Sequence, residues 1–262
     1  MKAIDLHQHF ISREPWVEGP TVDGVIYGDP ALDVDRCLVA WMPGMDAFRA
    51  MVEKGIRLLV CHESVFFNHQ DDRPRENETE CMLKKRFLDE HGITVVRNHD
   101  GWDRWPEIGI PSAWAKFLEL PFPPAKDHYG FQRRHDIKPM ALGDYAKHVA
   151  SRCAELGEWA VQVTGDLTLP VSRIGVGCGC ICSLDIYRDM GCDCAIVCDD
   201  GSGYCHGIQR WKDEGRCVIR VNHCTSEDPG IRLLAEYINQ NVPGLSAEYH
   251  QQGACFQLVG KD

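Results

Sequence analysis

The segment GIRLLVCHE, at residues 55–63, joins a helix stop, an apolar run and a polar pair. Its glycine follows the helical periodicity of Met45–Lys54. A short apolar run such as Ile56–Cys61 is typical of a strand that is buried on both faces. His62 and Glu63 then come directly after the strand, where open α/β sheets place their ligand sites. The segment therefore predicts an α/β sheet with a polar site at a strand end.

Strand-like and helical patterns alternate on both sides of this segment, which indicates α/β layers with helices covering sheets. Prolines and mixed charge in Pro121–Pro139 predict a loop between two halves. We therefore expect one domain with approximate lobes 1–125 and 126–262. The predicted strands are Val22–Tyr27, Cys37–Trp41, Ile56–Cys61, Ile93–Val96, Ala160–Val163, Arg173–Gly177, Ala195–Cys198, Cys217–Val221 and Leu245–Tyr249. The predicted helices are Met45–Lys54, Glu78–His91, Leu142–Leu156, Leu184–Met190, Gly203–Glu214 and Ile231–Asn239.

Composition and charge narrow the class of protein. The chain has 262 residues, of which 44% are hydrophobic and 26% charged, and its net charge is -11 at pH 7. These values are typical of a globular protein, and an acidic surface repels phosphate backbones, so nucleic-acid binding is not expected. No apolar run is long enough to span a bilayer, and the start of the chain lacks a signal-peptide pattern. We expect a cytoplasmic protein without a membrane partner.

The chain contains fourteen cysteines, several of them closely spaced. Close spacing is compatible with metal ligation. However, the cysteines lie in strand-like or close-packed segments, and paired Cys-x-x-Cys knuckles at zinc-ribbon spacing do not occur. We expect most of them to pack as small hydrophobic side chains.

Histidine and carboxylate side chains follow three of the predicted strands. Mixed nitrogen and oxygen ligands of this kind suit Zn, Fe, Mn or Co. The third pair is His223 and Glu227, and the last helix is predicted to start after it, at Asp228 or Pro229. We therefore expect this pair to lie on the approach loop and its first turn. Taken alone, that pair also fits a loop histidine and a carboxylate that complements the helix dipole. The three clusters contribute His62 and Glu63, His99 and Asp103, and His223 and Glu227.

Two further motifs favour other functions. His7 and His9 form an H-x-H pattern similar to the first metal motif of amidohydrolase barrels, although the segment that follows is not helical and later clusters lack barrel spacing. The run Gly175–Gly179 looks like a dinucleotide loop, but Cys180 occupies the position of the third glycine. A tight turn explains these glycines, so no nucleotide cofactor is expected.

Across nearly its whole length the chain resembles the NIF-three-like dinuclear-metal proteins, often classed as type 2 GTP cyclohydrolase homologues. The metal strand and the final segment are the most specific parts of this resemblance. One departure is clear, because Glu63 stands where the family usually has a second histidine. The segments that carry the likeness are Asp23–Asp29, Gly55–Glu63, Lys85–Arg86, Gly92–Asp103, Val171–Asp185 and Cys217–Leu234.

The resemblance implies a fold of two interlocked α/β lobes, with mixed sheets covered by helices. It also implies two divalent metal ions and a homohexamer with its sites facing an inner cavity. The ligands carried over by position are His62, Asp103, His223 and Glu227, and Glu63 is a further candidate ligand.

These expectations lead to three functional hypotheses. The first is a metal-dependent hydrolase of a small-molecule substrate, in which Glu63 or His99 transfers protons. The second is a non-enzymatic metal-binding or protein-interaction scaffold, which the change at Glu63 favours. The third is an amidohydrolase-like barrel enzyme that uses His7 and His9.

Overall fold

A computed structural model describes residues 1–66, 68–70, 79–177, 179–253, 256 and 259. In chain order the elements begin with α1 (Ala3–Ile11), β1 (Gly24–Tyr27), β2 (Arg36–Ala40), α2 (Met45–Lys54), β3 (Leu58–Cys61), α3 (Thr79–His91), β4 (Thr94–Arg97), α4 (Asp100–Asp103), α5 (Ile110–Phe117), β5 (Lys126–His128) and β6 (Gln132–Ala141). They continue with α6 (Leu142–Ala154), β7 (Gln162–Thr164), β8 (Pro170–Gly177), α7 (Leu184–Asp189), β9 (Cys194–Cys198), α8 (Gln209–Asp213), β10 (Cys217–Val221), α9 (His223–Asn241) and β11 (Ser246–Tyr249).

The chain divides into two compact units. The first unit comprises Met1–Trp105 and Ile231–Gln252, and the second comprises Pro106–Gly230 and Gly253–Asp262. The expected single domain with a division near residue 125 stays a prediction.

The first unit is built on a five-stranded mixed sheet with the order β1-β4-β3-β2-β11. Strands β4, β3, β2 and β11 are parallel, and β1 joins β4 in the antiparallel direction. Strand β3 is buried along its whole length, as its apolar run predicts. Its core packs Leu59 and Val95 of the sheet against Phe48 and Met51 of α2. Burial of both faces explains why these strands lack a polar–apolar alternation.

The second unit contains a six-stranded mixed sheet with the order β5-β6-β8-β9-β10-β7. Strands β8, β9 and β10 are parallel, whereas β5, β6 and β7 pair with their neighbours in the antiparallel direction. Its core includes Ile174, Ile196 and Ile219 of the sheet and Tyr145 of α6. Two mixed sheets covered by helices confirm the expected fold class.

The prediction of a loop over Pro121–Pro139 is wrong, because strands β5 and β6 occupy most of it. Strand β6 is largely polar, and within it only Gln132 and His135 are buried. It therefore lacks the apolar signal of a central strand. Pro139 lies where the register between β6 and β8 shifts, and such irregular positions tolerate proline because no ladder hydrogen bond is needed there.

The amidohydrolase-like hypothesis is also wrong. His7 and His9 lie on helix α1 rather than after a strand, and the described sheets have five and six strands instead of forming an eight-stranded barrel. Leu6 and Phe10 lie on the buried face of this helix. His9 Nε2 lies 3.2 Å from the Tyr237 hydroxyl, within the first unit, which gives this histidine a structural contact.

Most of the described cysteines belong to the cores. Ten of the twelve are buried, and none of the twelve forms a disulfide; Cys180 and Cys205 are exposed. Burial raises the pKa of thiols such as Cys37 and Cys192, to about 12 in each case. These side chains are therefore neutral, and they pack as small apolar groups.

No helix in the described part of the chain is both long enough and apolar enough to cross a membrane.

Candidate functional site

The first cluster consists of His62, Glu63, His99 and Asp103. It lies at the carboxyl ends of β3 and β4, whose last residues Cys61 and Arg97 pair in parallel register. The residues that follow the two strands therefore leave the sheet at the same level. The short helix α4 then carries Asp103 back toward His62.

His62 is fully buried and lies between two oxygen atoms. Its Nδ1 atom is 3.2 Å from the carbonyl oxygen of Asn98, and its Nε2 atom is 3.3 Å from Asp103 Oδ1. A carbonyl oxygen only accepts hydrogen bonds, so Nδ1 carries the proton. Nε2 therefore faces a buried carboxylate, and an imidazole and a carboxylate placed in this way are the kind of pair that can hold a divalent metal ion.

His99 stacks on His62, with ring centroids 4.4 Å apart and an interplanar angle of 15°. Its Nε2 atom lies 3.5 Å from Glu63 Oε1, and its Nδ1 atom lies 3.0 Å from Asp100 Oδ1. Burial lowers the pKa of His99, but the negative charges of Asp103, Asp100 and Glu63 raise it well above its usual value. In the ion-free chain His99 is therefore a cation, which can donate a proton but not accept one.

Arg97, the last residue of β4, holds the backbone and the Glu63 side chain of the first cluster in place. Its side chain is almost fully buried, and its Nε donates to the His62 carbonyl oxygen at 2.9 Å. One terminal nitrogen lies 3.4 Å from Glu63 Oε2, and the other donates to the carbonyl oxygen of His69. One guanidinium thus balances the Glu63 charge and fixes the backbone on both sides of it.

Two carboxylates outside the predicted ligand set hold the α4 segment. Asp23 accepts hydrogen bonds from the backbone nitrogens of Asp100 at 3.2 Å and Gly101 at 2.9 Å, so it caps this short helix. Glu14 is buried and accepts a 3.0 Å hydrogen bond from Asn98 Nδ2. Burial and the nearby carboxylates Asp23 and Asp100 raise the pKa of Glu14 to about 7, although the Asn98 bond opposes them.

Glu14 makes the stability of the metal-free chain depend on pH. Its folded pKa of about 7 exceeds the ordinary value of 4.5, so the folded state is penalised as pH rises through this range. The Glu14→Gln variant keeps the acceptor for Asn98 but cannot ionise. We expect it to match wild type near pH 4 and to be more stable by about 3 kcal/mol, or about 6–12 °C in Tm, at pH 8. Thermal unfolding at the two pH values measures this difference, and an equal offset at both would contradict it.

The second cluster consists of Asp200, His223 and Glu227. The expectation that His223 and Glu227 precede the last helix is wrong, because α9 begins at His223. Their spacing of four residues therefore places them on one helix face, with His223 Nε2 at 3.0 Å from Glu227 Oε1. Asp200 Oδ2 lies 2.9 Å from the other ring nitrogen. Burial lowers the pKa of His223, but Glu227 and Asp200 raise it to about 12.

The early start of α9 follows from side chains that bind its first backbone nitrogens. Asp199 Oδ1 accepts from the His223 nitrogen at 2.9 Å, and Asn222 Oδ1 accepts from Cys224 at 3.1 Å. The Glu158 carboxylate accepts from the Asn222 nitrogen at 3.0 Å. Pro229, which suggests a helix start in the sequence, instead lies inside the helix.

Gly179 leaves room for the second cluster. Its φ is +36°, and a Cβ atom at this position would overlap His223 Nε2 and Glu227 Oε1. Gly175 of the same glycine run has a different role, since a Cβ there would lie 2.7 Å from the Tyr187 ring. Gly175 therefore allows close packing of the Tyr187 ring, and Gly179 leaves a recess beside the second cluster.

The donor atoms of both clusters fit divalent metal ions. His62, Glu63 and His99 each offer one ligand atom, and these atoms lie within 4.8 Å of one another. In the second cluster Glu227 is only 2% exposed and His223 is 6% exposed. A protonated imidazole or a metal ion can supply the positive charge that a buried carboxylate needs, and imidazole and carboxylate ligands suit Zn, Fe, Mn or Co. Cys198 Sγ lies 3.1 Å from Asp200 Oδ1, and burial raises the pKa of this thiol. Cys198, Asp200 and His223 also each offer a ligand atom within 4.8 Å of the others.

A cavity of about 670 Å³ lies within the second unit, near the start of α9. Asp199 and Asn222, which bind the first turn of α9, form part of its wall. Arg220, Glu158 and the exposed Trp159 also line it. The volume is in the range of pockets that hold small molecules, and its lining offers a cation, carboxylates and an aromatic face.

The predicted site residues are therefore distributed between the two clusters. His62, Glu63, His99 and Asp103 come together in the first unit, whereas His223 and Glu227 come together in the second. The sequence did not indicate the supporting residues, because their contacts depend on segments far away in the chain. These residues are Glu14, Asp23, Arg97, Gly179 and Asp200.

Known structures share this architecture. A Staphylococcus aureus protein, SA1388, superposes with a TM-score of 0.79 at 18% identity, covering 99% of each chain. A Bacillus cereus protein related to NIF3 gives a TM-score of 0.78 at 13% identity, also covering 99% of each chain. Reduced HcgD from Methanocaldococcus jannaschii gives 0.71 at 18% identity, covering 95% of this chain and 97% of that one. At these identities the likeness shows the fold alone.

None of the curated proteins compared with this chain matches it. The model of the Duf34/NIF3 family, described as NGG1p interacting factor 3, matches residues 17–252. This range includes every residue of both clusters. The chain therefore belongs to the Duf34/NIF3 family.

Proposed function

We propose that this protein is a hydrolase that depends on two divalent metal ions. His62, Glu63 and Asp103 supply ligands from the first cluster, and His223 and Glu227 supply them from the second. The family resemblance supports two ions. Zn, Fe, Mn and Co are all compatible with the nitrogen and oxygen donors.

The observation that carries the proposal is the arrangement around Glu227. This carboxylate is almost fully buried, and it lies 3.0 Å from an imidazole nitrogen. Its neighbour Gly179 has no side chain where a Cβ would fill the recess. A buried carboxylate is costly unless it is paired or bound to a metal ion. The space beside Glu227 and His223 that Gly179 leaves open favours a bound ion over a site filled by side chains.

The chemistry combines the ions with groups of the chain. When bound, divalent ions lower the pKa of water to near neutrality and polarise a substrate oxygen. Arg97 holds Glu63 in place, and His99 donates a proton to the leaving group. The cavity within the second unit has a volume and a lining suited to a small molecule, with Arg220 available for a negatively charged group.

The first test is metal content by mass spectrometry, on protein purified without chelator. We expect about two transition-metal ions per wild-type chain, and their loss from Glu227→Ala. Glu236→Ala is the matched control, because Glu236 is an exposed carboxylate on the same helix. Wild-type protein that stays metal-free after reloading would contradict the proposal, as would Glu227→Ala with an unchanged metal content.

The second test is turnover. Metal-loaded wild-type protein is screened against nucleotides, starting with GTP, and against cyclic amides. Hydrolysis that is absent from the Glu227→Ala variant supports the proposed reaction. A metal-loaded protein that hydrolyses none of these compounds contradicts it.

One observation favours a second function, that of a non-enzymatic metal-binding scaffold. Glu63 lies 3.4 Å from the buried Arg97 guanidinium. This pair reduces the negative charge that Glu63 can offer an ion, in a position where the family usually has histidine. A scaffold predicts that His223→Ala loses metal but still binds its protein partner.

The resemblance also supports a homohexamer. The mass of the assembly, measured by light scattering after size-exclusion chromatography, tests this proposal directly.

A further inference from the structure

His69 lies beside the first cluster but outside the ligand set that the family resemblance implies. Its ring contacts the His99 ring edge to face, with centroids 4.9 Å apart and an interplanar angle of 80°. Its side chain is exposed, whereas His62, which stacks on His99, is fully buried. Three imidazoles therefore form a row from the interior to the surface, with His99 in the middle.

His69, His99 and Asp100 each offer a ligand atom, and these atoms lie within 4.8 Å of one another. Ligand atoms around one zinc or cobalt ion are about 3.4 Å apart when the bonds are about 2.1 Å long. Small rotations of the exposed His69 side chain can therefore bring the three ligand atoms to the spacing that a bound ion requires. Two imidazoles and one carboxylate form a common site for divalent transition metals, and they leave coordination positions open to water.

The two nitrogens of His99 face different groups. Nε2 points toward Glu63, at 3.5 Å from Oε1, and Nδ1 points toward Asp100, at 3.0 Å from Oδ1. Glu63 belongs to the inner set with His62, while Asp100 belongs to the set with His69. His99 therefore separates an inner position from an outer one.

The Asp100 side chain and the His69 backbone are held by bonds that an ion would not disturb. Asp100 Oδ2 accepts from Thr21 Oγ1 at 2.7 Å and from the Val22 nitrogen at 3.2 Å, which leaves Oδ1 directed at His99. The His69 carbonyl oxygen accepts from Arg97, so the backbone at His69 is fixed while its ring can turn. The Arg97 guanidinium also lies 3.5 Å from His69 Nδ1, and the ring must turn away from it to bind an ion.

We propose that His69, His99 and Asp100 form a third, solvent-facing metal position, the outer position. It takes a divalent transition-metal ion from solution and lies next to the inner set through the shared His99. With three protein ligands and partial exposure, it binds its ion more weakly than the buried clusters bind theirs.

The test is Co²⁺ binding, measured by equilibrium dialysis with metal counting and by visible absorption of the bound ion. We expect His69→Ala to bind about one fewer Co²⁺ ion per chain than wild type and to lose one set of absorption bands. His91→Ala is the control, because His91 is another exposed histidine of the first unit. It should bind as many ions as wild type.

Repeating the Co²⁺ measurement in the Glu227→Ala variant, with and without His69→Ala, tests the outer position independently of the proposed function. The outer position does not use Glu227, so a Co²⁺ ion that depends on His69 should remain in Glu227→Ala. Two results would overturn the outer position: an unchanged count in His69→Ala, or no His69-dependent ion in Glu227→Ala. If Glu227→Ala keeps every ion, the proposed function fails, whereas a loss seen in His69→Ala still supports the outer position.

Discussion

Replacing Gly179 by alanine should weaken metal binding by the second cluster and destabilise the chain. A Cβ at this position would overlap His223 Nε2 and Glu227 Oε1, so both side chains must move from their present positions. Displacing groups next to a metal site typically costs about 10–100-fold in affinity. The left-handed φ and the overlap together should lower the free energy of unfolding by about 2–4 kcal/mol.

Zinc titration and urea unfolding measure these two effects. Gly203→Ala is the matched control, because Gly203 has an ordinary φ of -68° and open space at its Cβ position. The control should bind zinc like wild type and keep its stability. A Gly179→Ala variant that binds zinc as tightly as wild type would show that the recess is not needed for the ion.

Replacing Arg97 by methionine should cause the largest loss of stability among the changes considered for the first cluster. The side chain is 1% exposed, and it serves the carbonyl oxygens of His62 and His69 and the Glu63 carboxylate. Removing one partner of such a buried arrangement typically costs about 3–5 kcal/mol. Arg97→Lys keeps the charge but not the planar fork, so an intermediate loss is expected.

The unfolding midpoint in urea, with an unchanged m-value, gives the size of this effect. Arg232→Met is the control, because the Arg232 side chain is 69% exposed and its ion pair with Glu236 lies on the surface of α9. Exposed pairs of this kind contribute at most about 1 kcal/mol. If Arg97→Met is no less stable than Arg232→Met, Arg97 does not support the cluster as described.

The elements with strong local signals were predicted well from the sequence. The bounds of α2 and β10 agree with the periodicity of Met45–Lys54 and with the apolar run Cys217–Val221. Strand β6 was missed because it is polar, and its pairing with β5 and β8 supplies the stabilisation that its composition does not show. Helix α9 was predicted to start too late. Its N-cap is Asn222, whose Oδ1 accepts from the Cys224 nitrogen, and the bond from the His223 nitrogen to Asp199 joins residues 24 positions apart.

In the candidate site, too, the features with a local sequence signal were predicted and those that depend on distant segments were not. Histidines and carboxylates directly after β3, β4 and β10 are visible in the sequence, since those strands are easily recognised. Their supporting contacts are not visible, because they join residues far apart in the chain. Asn98 and Glu14, for example, are separated by 84 positions. Whether the predicted ligands hold two ions stays a prediction.

Because most of the described cysteines are buried, the reactivity of their thiols can be used to measure local unfolding of the chain. Among the described residues, a thiol reagent meets only Cys180 and Cys205 in the folded chain. The other ten thiols can react only after the surrounding core has opened, so the rate at which each is labelled measures how often its segment opens. Cys37 and Cys61 would report on the sheet of the first unit, and Cys194 and Cys217 on that of the second.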